Sequence, residues 1–158
     1  MAAHPIDARI DGEDKAYLDD PDGAYDFIQE VSYQSKLVVD APKGSVIFSS
    51  PPGAFNEGSK IDGQSHVLLQ ASNIVFNAKI DGQSWVFIVV SKGGSIIAND
   101  RITGGSNVFW KKASLDDPTP SIKLDPEPGK GVTVQEITDA KIWDFFITNY
   151  ITNYSVPK

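Results

Sequence analysis

A six-residue block recurs along the middle of the chain. Lys60-Ile61-Asp62-Gly63-Gln64-Ser65 returns unchanged as Lys79-Ile80-Asp81-Gly82-Gln83-Ser84, and a looser copy follows at Arg101-Ile102-Thr103-Gly104-Gly105-Ser106. The copies begin 19 and then 22 residues apart. Self-similarity at such a period marks an architecture in which each unit buries its apolar side against its neighbours. Arg9-Ile10-Asp11-Gly12 matches the first positions of the block and is a candidate further copy.

Two apolar runs follow each copy. They are Val67-Leu68-Leu69 with Ile74-Val75-Phe76, then Val86 to Val90 with Ile96-Ile97, then Val108-Phe109-Trp110 with Ile122-Lys123-Leu124. The last two are parted by a proline-rich loop, Asp116 to Pro120. Upstream, Leu37-Val38-Val39 and Ser45-Val46-Ile47-Phe48 flank the turn residues Pro42-Lys43-Gly44, while Pro51 to Gly58 reads as a loop and Val132-Thr133-Val134 as a last strand. The chain is therefore all-β, and two arrangements fit. In a parallel β-solenoid of about four to five coils, equivalent residues stack in inward rows. Ile61, Ile80 and Ile102 form one. Leu37, Val67, Val86 and Val108 form a second, and Val46, Ile74, Ile96 and Ile122 a third. In an antiparallel β-meander, closed as a barrel or sandwich, Asp62-Gly63 and Asp81-Gly82 are hairpin turns instead. The solenoid better explains why the whole block recurs, because stacking puts every position of it in one repeated environment.

The block, with its Gly-Ser corners and Val/Ile/Phe strands, resembles the coils of short right-handed parallel β-helix proteins over about Lys36 to Leu124. Pectin-lyase-like enzymes, adhesins and cytoskeletal solenoids share that architecture. The resemblance therefore implies a fold and no single function.

The 158 residues make one domain. Residues 1–35 read as an N-terminal cap. Asp20-Pro21-Asp22 has the chemistry of a helix start, and Ala24 to Tyr33 puts Tyr25, Ile28 and Val31 on one side of a short helix. Residues 36–134 form the repeat region. Thr138-Asp139 then caps a C-terminal helix over 138–154, with Ile142, Trp143, Phe146, Ile147, Tyr150 and Tyr154 at three- and four-residue steps.

Composition excludes more than it assigns. The net charge of −7 opposes nonspecific binding to nucleic acid or anionic membrane and suits a basic protein partner. Cysteine is absent, and the two histidines, His4 and His66, are not paired at metal-ligand spacing, so neither a metal nor a cofactor is expected. Asp19, Asp20 and Asp22 lack the glycine and distal glutamate of a calcium loop. The start of the chain has no basic and apolar leader, and the expectation is a cytoplasmic protein, with secretion compatible. Ser65 and His66 are adjacent on a strand and point to opposite faces, so they form no catalytic dyad.

The remaining candidates are surfaces. Asp62 and Asp81 stack one strand spacing apart, about 4.8 Å, near the separation of a retaining glycosidase pair; aspartates are equally favoured in tight turns. Gln64, Gln83 and an exposed Trp85 could hold a sugar ring. Leu68, Phe87 and Phe109, with Val38, form an outward apolar row that needs a cover, supplied by a terminal helix or by a second chain. Ile47, Val75 and Ile97 form a second outward row. The leading expectation is a noncatalytic module that binds a protein partner, such as a basic toxin met by an inhibitor or immunity protein, or binds itself, through a flat β face. The alternative is a carbohydrate-binding or polysaccharide-cleaving β-helix protein.

Overall fold

The computed structural model describes residues 4–6, 10–49, 60–129 and 131–151. Its elements in order are β1 (His4–Ile6), β2 (Lys15–Asp19), β3 (Ala24–Phe27), β4 (Lys36–Phe48), β5 (His66–Phe76), β6 (Trp85–Ala98), β7 (Asn107–Lys112), β8 (Ser121–Lys123), β9 (Thr133–Glu136) and α1 (Ala140–Tyr150). Every strand pairing is parallel, and Val67 pairs directly with Val86. The antiparallel meander is thereby excluded, and the chain is a parallel β-solenoid of about five turns.

Strands β4, β5 and β6 each bend once and serve two faces. Face A stacks β2, the first halves of β4, β5 and β6, then β7 and β9. Face B stacks β1, β3, the second halves of β4, β5 and β6, then β8. The third side is a column of single-residue bridges: Ile10, Val31, Ile61, Ile80, Ile102 and Pro126. The three inward rows named from the sequence all lie as expected, and the fourth candidate copy is genuine, since Ile10 heads that column. Inside face B, Phe27, Phe48 and Phe76 stack with ring centroids 4.9 and 5.2 Å apart.

The corner between the third side and face A explains the repeated order of the block. Two successive residues take left-handed φ, at 62° and 61° for Gly63 and Gln64 and at 65° and 58° for Gly82 and Gln83. The amide of Gln64 donates to the carbonyl of Gly82 (2.8 Å), and that of Gln83 to Gly104 (2.9 Å), so corners are bonded to corners as strands are to strands. The serine that follows points inward and is buried, and its hydroxyl donates to the carbonyl of the block's aspartate: Ser65 to Asp62 at 2.7 Å, Ser84 to Asp81 at 2.8 Å. A buried hydroxyl needs such a partner. The isoleucine before the corner carries the apolar burial. Ile80→Ala is therefore expected to cost about 2–5 kcal/mol, and Asp81→Ala, which removes a turn contact, under about 2 kcal/mol. Chemical denaturation checks the order; a larger loss at Asp81 would contradict the assignment of faces.

The N-terminal helix does not form. Asp20 to Gly23 is a turn, closed by Gly23 N–H to the Asp20 carbonyl (2.9 Å), and Ala24 to Phe27 is strand β3. Tyr25 and Phe27 alternate inward beside Val46 and Phe48, and a lone short helix would forgo those ladder bonds. Val31 to Ser35 is a degenerate corner, with Tyr33 and Gln34 at φ 55° and 61°. Residues 10–35 thus supply the first coil and start the second. The expected loop at Pro51 to Gly58 lies outside the described residues.

The C-terminal helix forms over Ala140–Tyr150, with the Asp139 carboxylate accepting from the Lys141 and Ile142 amides at 2.8 and 3.4 Å. Ile142 departs from the expected stripe and is 47% exposed. Tyr154 lies outside the described residues.

Candidate functional site

The outward row of face A is covered within the chain. Val38, Phe87 and Phe109 are buried, and Leu68 is partly buried, beneath Trp143, Phe146, Ile147, Tyr150 and Ile151 of α1 and its C-cap. Phe109 and Phe146 stack at 4.8 Å, and Trp143 meets Phe87 edge-on at 5.9 Å. Trp85, expected to be exposed, is half-buried: the Tyr150 ring stacks on it at 4.2 Å. Leu68, Phe87, Phe109 and Trp85 therefore hold α1 in place and present little surface to a second molecule.

Asp62 and Asp81 act as turn residues. Their Oδ1 atoms accept from the amides of Gly63 and Gly82 at 2.7 and 2.8 Å, and the second oxygen of Asp62 pairs with Lys60 at 3.2 Å. Each carboxylate also lies against the glycine of the next coil, close enough that a Cβ there would stand 2.1 Å from Asp62 Oδ1 at Gly82 and 2.0 Å from Asp81 Oδ1 at Gly104. Among the described residues no cluster of three His, Cys, Asp or Glu is placed to hold a metal.

Gln64 and Gln83 are exposed, and the Gln64 amide donates to the Gln83 amide oxygen at 3.3 Å. They belong to a groove that runs along the solenoid axis. One wall is the corner column of Glu13, Gln34, Gln64 and Gln83. The other is the column of strand-opening residues Lys15, Lys36, His66, Trp85 and Asn107, which neighbour one another rung by rung. The inward serines lie beneath. The N-terminal half of the groove is a cleft of about 470 Å³ lined by Glu13, Lys15, Gln34, Lys36, Gln64 and His66. It continues past Trp85 and Asn107 as a second cleft of about 270 Å³, sharing Gln64 and His66 with the first. Tyr33 stands beside it, 64% exposed, at a left-handed φ where four other corners place glycine: Gly12, Gly63, Gly82 and Gly104. A large residue held in that region is strained and merits a functional question.

His66 closes the groove against α1. Its Nδ1 lies 2.7 Å from the Tyr150 carbonyl, which can only accept, so Nδ1 carries the proton. Burial first, and Lys36 second, push the imidazole down to about 4, while the bond to Tyr150 opposes them; the ring is neutral at neutral pH. Lys36 is only 5% exposed. Burial and then Lys15 lower its ammonium below the usual lysine range, with Glu13 acting the other way.

No protein-family model matches the chain, and neither curated proteins nor solved structures gave a significant match. The surfaces alone must therefore carry the functional reading. The remaining one is the outside of face B. Ile47, Val75 and Ile97 stand on successive rungs there, half-buried, and among the described residues no helix or strand packs on them. Polar columns run on both sides. Ser95 Oγ donates to Asn73 Oδ1 at 3.1 Å, and Asn99 Nδ2 to Asn77 Oδ1 at 2.7 Å. Among the described residues no helix is long and apolar enough to cross a membrane.

Proposed function

We propose that the chain is a noncatalytic protein-interaction module that binds a basic partner protein through the outside of face B. The observation that carries this reading is the column of Ile47, Val75 and Ile97, on which no helix or strand packs among the described residues, set between ladders of serine and asparagine. A contiguous apolar row with a polar rim is the usual make-up of a protein contact. The ladders fix side chains before binding, which lowers the entropy cost of association. Size adds a condition. Six rungs at about 4.8 Å and four residues at about 3.3 Å span roughly 24 by 13 Å, well short of the ~800 Å² that each side of a standard interface buries. The partner must also cover the adjoining corners, where Asp20, Asp22, Glu30, Asp100 and Asp125 stand among Lys43, Lys60, Lys79, Lys92 and Arg101. The corners are balanced in charge, and it is the net charge of −7 that favours a basic surface.

The test is affinity capture from the native source, followed by reconstitution with the purified captured protein. Wild type and Gln83→Ala should retain the partner, and Val75→Lys, which places a cation against a basic surface, should release it while keeping the wild-type melting temperature. Added salt should weaken the complex. A partner retained by Val75→Lys removes face B from the reading. A self-dimer that Val75→Lys dissociates would make a second copy of the chain the partner.

A further inference from the structure

Lys15, Lys36 and His66 occupy the same position of three successive rungs, and all three line one cleft. Lys15 and Lys36 are like charges directly opposite on neighbouring strands, a pairing that destabilises a sheet, and a chain of net charge −7 has no general need for cations. Stability does not account for this column. The equivalent positions on the next two rungs are Trp85 and Asn107, so the fold does not require a base there. Lys36 is the most telling of the three. Lysine is rarely buried, yet its side chain is nearly enclosed while its rung neighbours line the same cleft. Glu13 is the one carboxylate among the described residues that line the cleft.

We infer that this cleft binds an oxyanion, with Lys36 and Lys15 as its cationic contacts and the Gln34 and Gln64 amides as further donors, while the neutral His66 ring, its proton held by Tyr150, forms wall only. The cleft opens along the axis toward Gln83, Trp85 and Asn107, which leaves room for a body larger than the anion itself. The shared chemistry is a carboxylate, phosphate or sulfate, either free or borne on a sugar. This site is separate from face B, and its fate does not bear on the partner proposed there.

Titration calorimetry at low ionic strength with inorganic phosphate, sulfate, glucuronate and a glucuronate-containing disaccharide tests the assignment. Saturable binding of at least one of them is expected. Lys36→Met and Lys15→Gln should each weaken it about tenfold, as loss of one charge-assisted hydrogen bond does. Lys43→Gln, on another corner, should leave it unchanged. Binding of the inorganic ions points to a free oxyanion, and binding of the disaccharide without them to a sugar-borne carboxylate. Should Lys36→Met fail to fold, the exposed Lys15→Gln carries the comparison. No saturable binding by any of these compounds, or full affinity in every folded lysine variant, overturns the proposal.

Discussion

Replacing Gly82 by valine is expected to remove at least about 3 kcal/mol of stability. Two costs combine. The residue holds φ at +65°, where a β-branched side chain is strained by about 1–2 kcal/mol. A Cβ there would also stand 2.1 Å from Asp62 Oδ1 and 2.5 Å from the Gly63 nitrogen. Neither neighbour can withdraw cheaply, because that oxygen and that nitrogen are hydrogen-bonded to each other at 2.7 Å. Gly93 separates the two costs: its φ is +76°, but nothing lies within 4 Å of its would-be Cβ. Gly93→Val should therefore lose only the backbone part. Urea midpoints at unchanged slope measure both. Equal losses at the two positions would show that the coils do not stack as closely as described.

Deleting residues 138 to 158 should turn a well-behaved protein into one that binds a hydrophobic dye and aggregates. The deletion strips Trp143, Phe146, Ile147 and Tyr150 from Val38, Leu68, Phe87 and Phe109. Aromatic residues bury about 150–250 Å² each, and at about 25 cal/mol per Å² the loss reaches several kcal/mol. The uncovered row would also be an apolar patch of the kind monomers seldom leave in water. A chain that stops after Ile151 keeps the cover and serves as the control. A deleted chain that remains soluble, monomeric and dye-silent would mean that the row needs no cover.

The inward rows were legible because stacking gives identical neighbours to identical residues. Ile61, Ile80 and Ile102 could be aligned by eye, and the third side followed from them. The start of the second turn was not legible for a physical reason. At Val31 to Ser35 valine replaces isoleucine, serine replaces aspartate and tyrosine replaces glycine, and the copy lies 30 residues before the next one. Only the Gln34-Ser35 pair survives as a signal, and the aspartates before β3 imitate a helix cap. The candidate site was read less well. Trp85 looked exposed because strand alternation places it outward, and the sequence does not show that Tyr150 folds over it. Lys15, Lys36 and His66 looked unrelated because their spacing is irregular, and register alone unites them. The glutamines were identified as surface residues, although their place in a continuous groove depends on corners whose left-handed glutamines nothing in the sequence marks.

The bend between faces A and B differs from coil to coil. It takes Pro42 to Gly44 in β4, Ser72 alone in β5 and Ser91 to Gly94 in β6, while the rungs before and after it stay in register. Length is thus decoupled from alignment at this edge. A foreign peptide spliced between Lys92 and Gly93 would leave every ladder bond in place, and like insertions on other coils would stand at multiples of about 4.8 Å. The molecule is in that sense a ready-made display scaffold, able to present guest loops at fixed intervals along a single line.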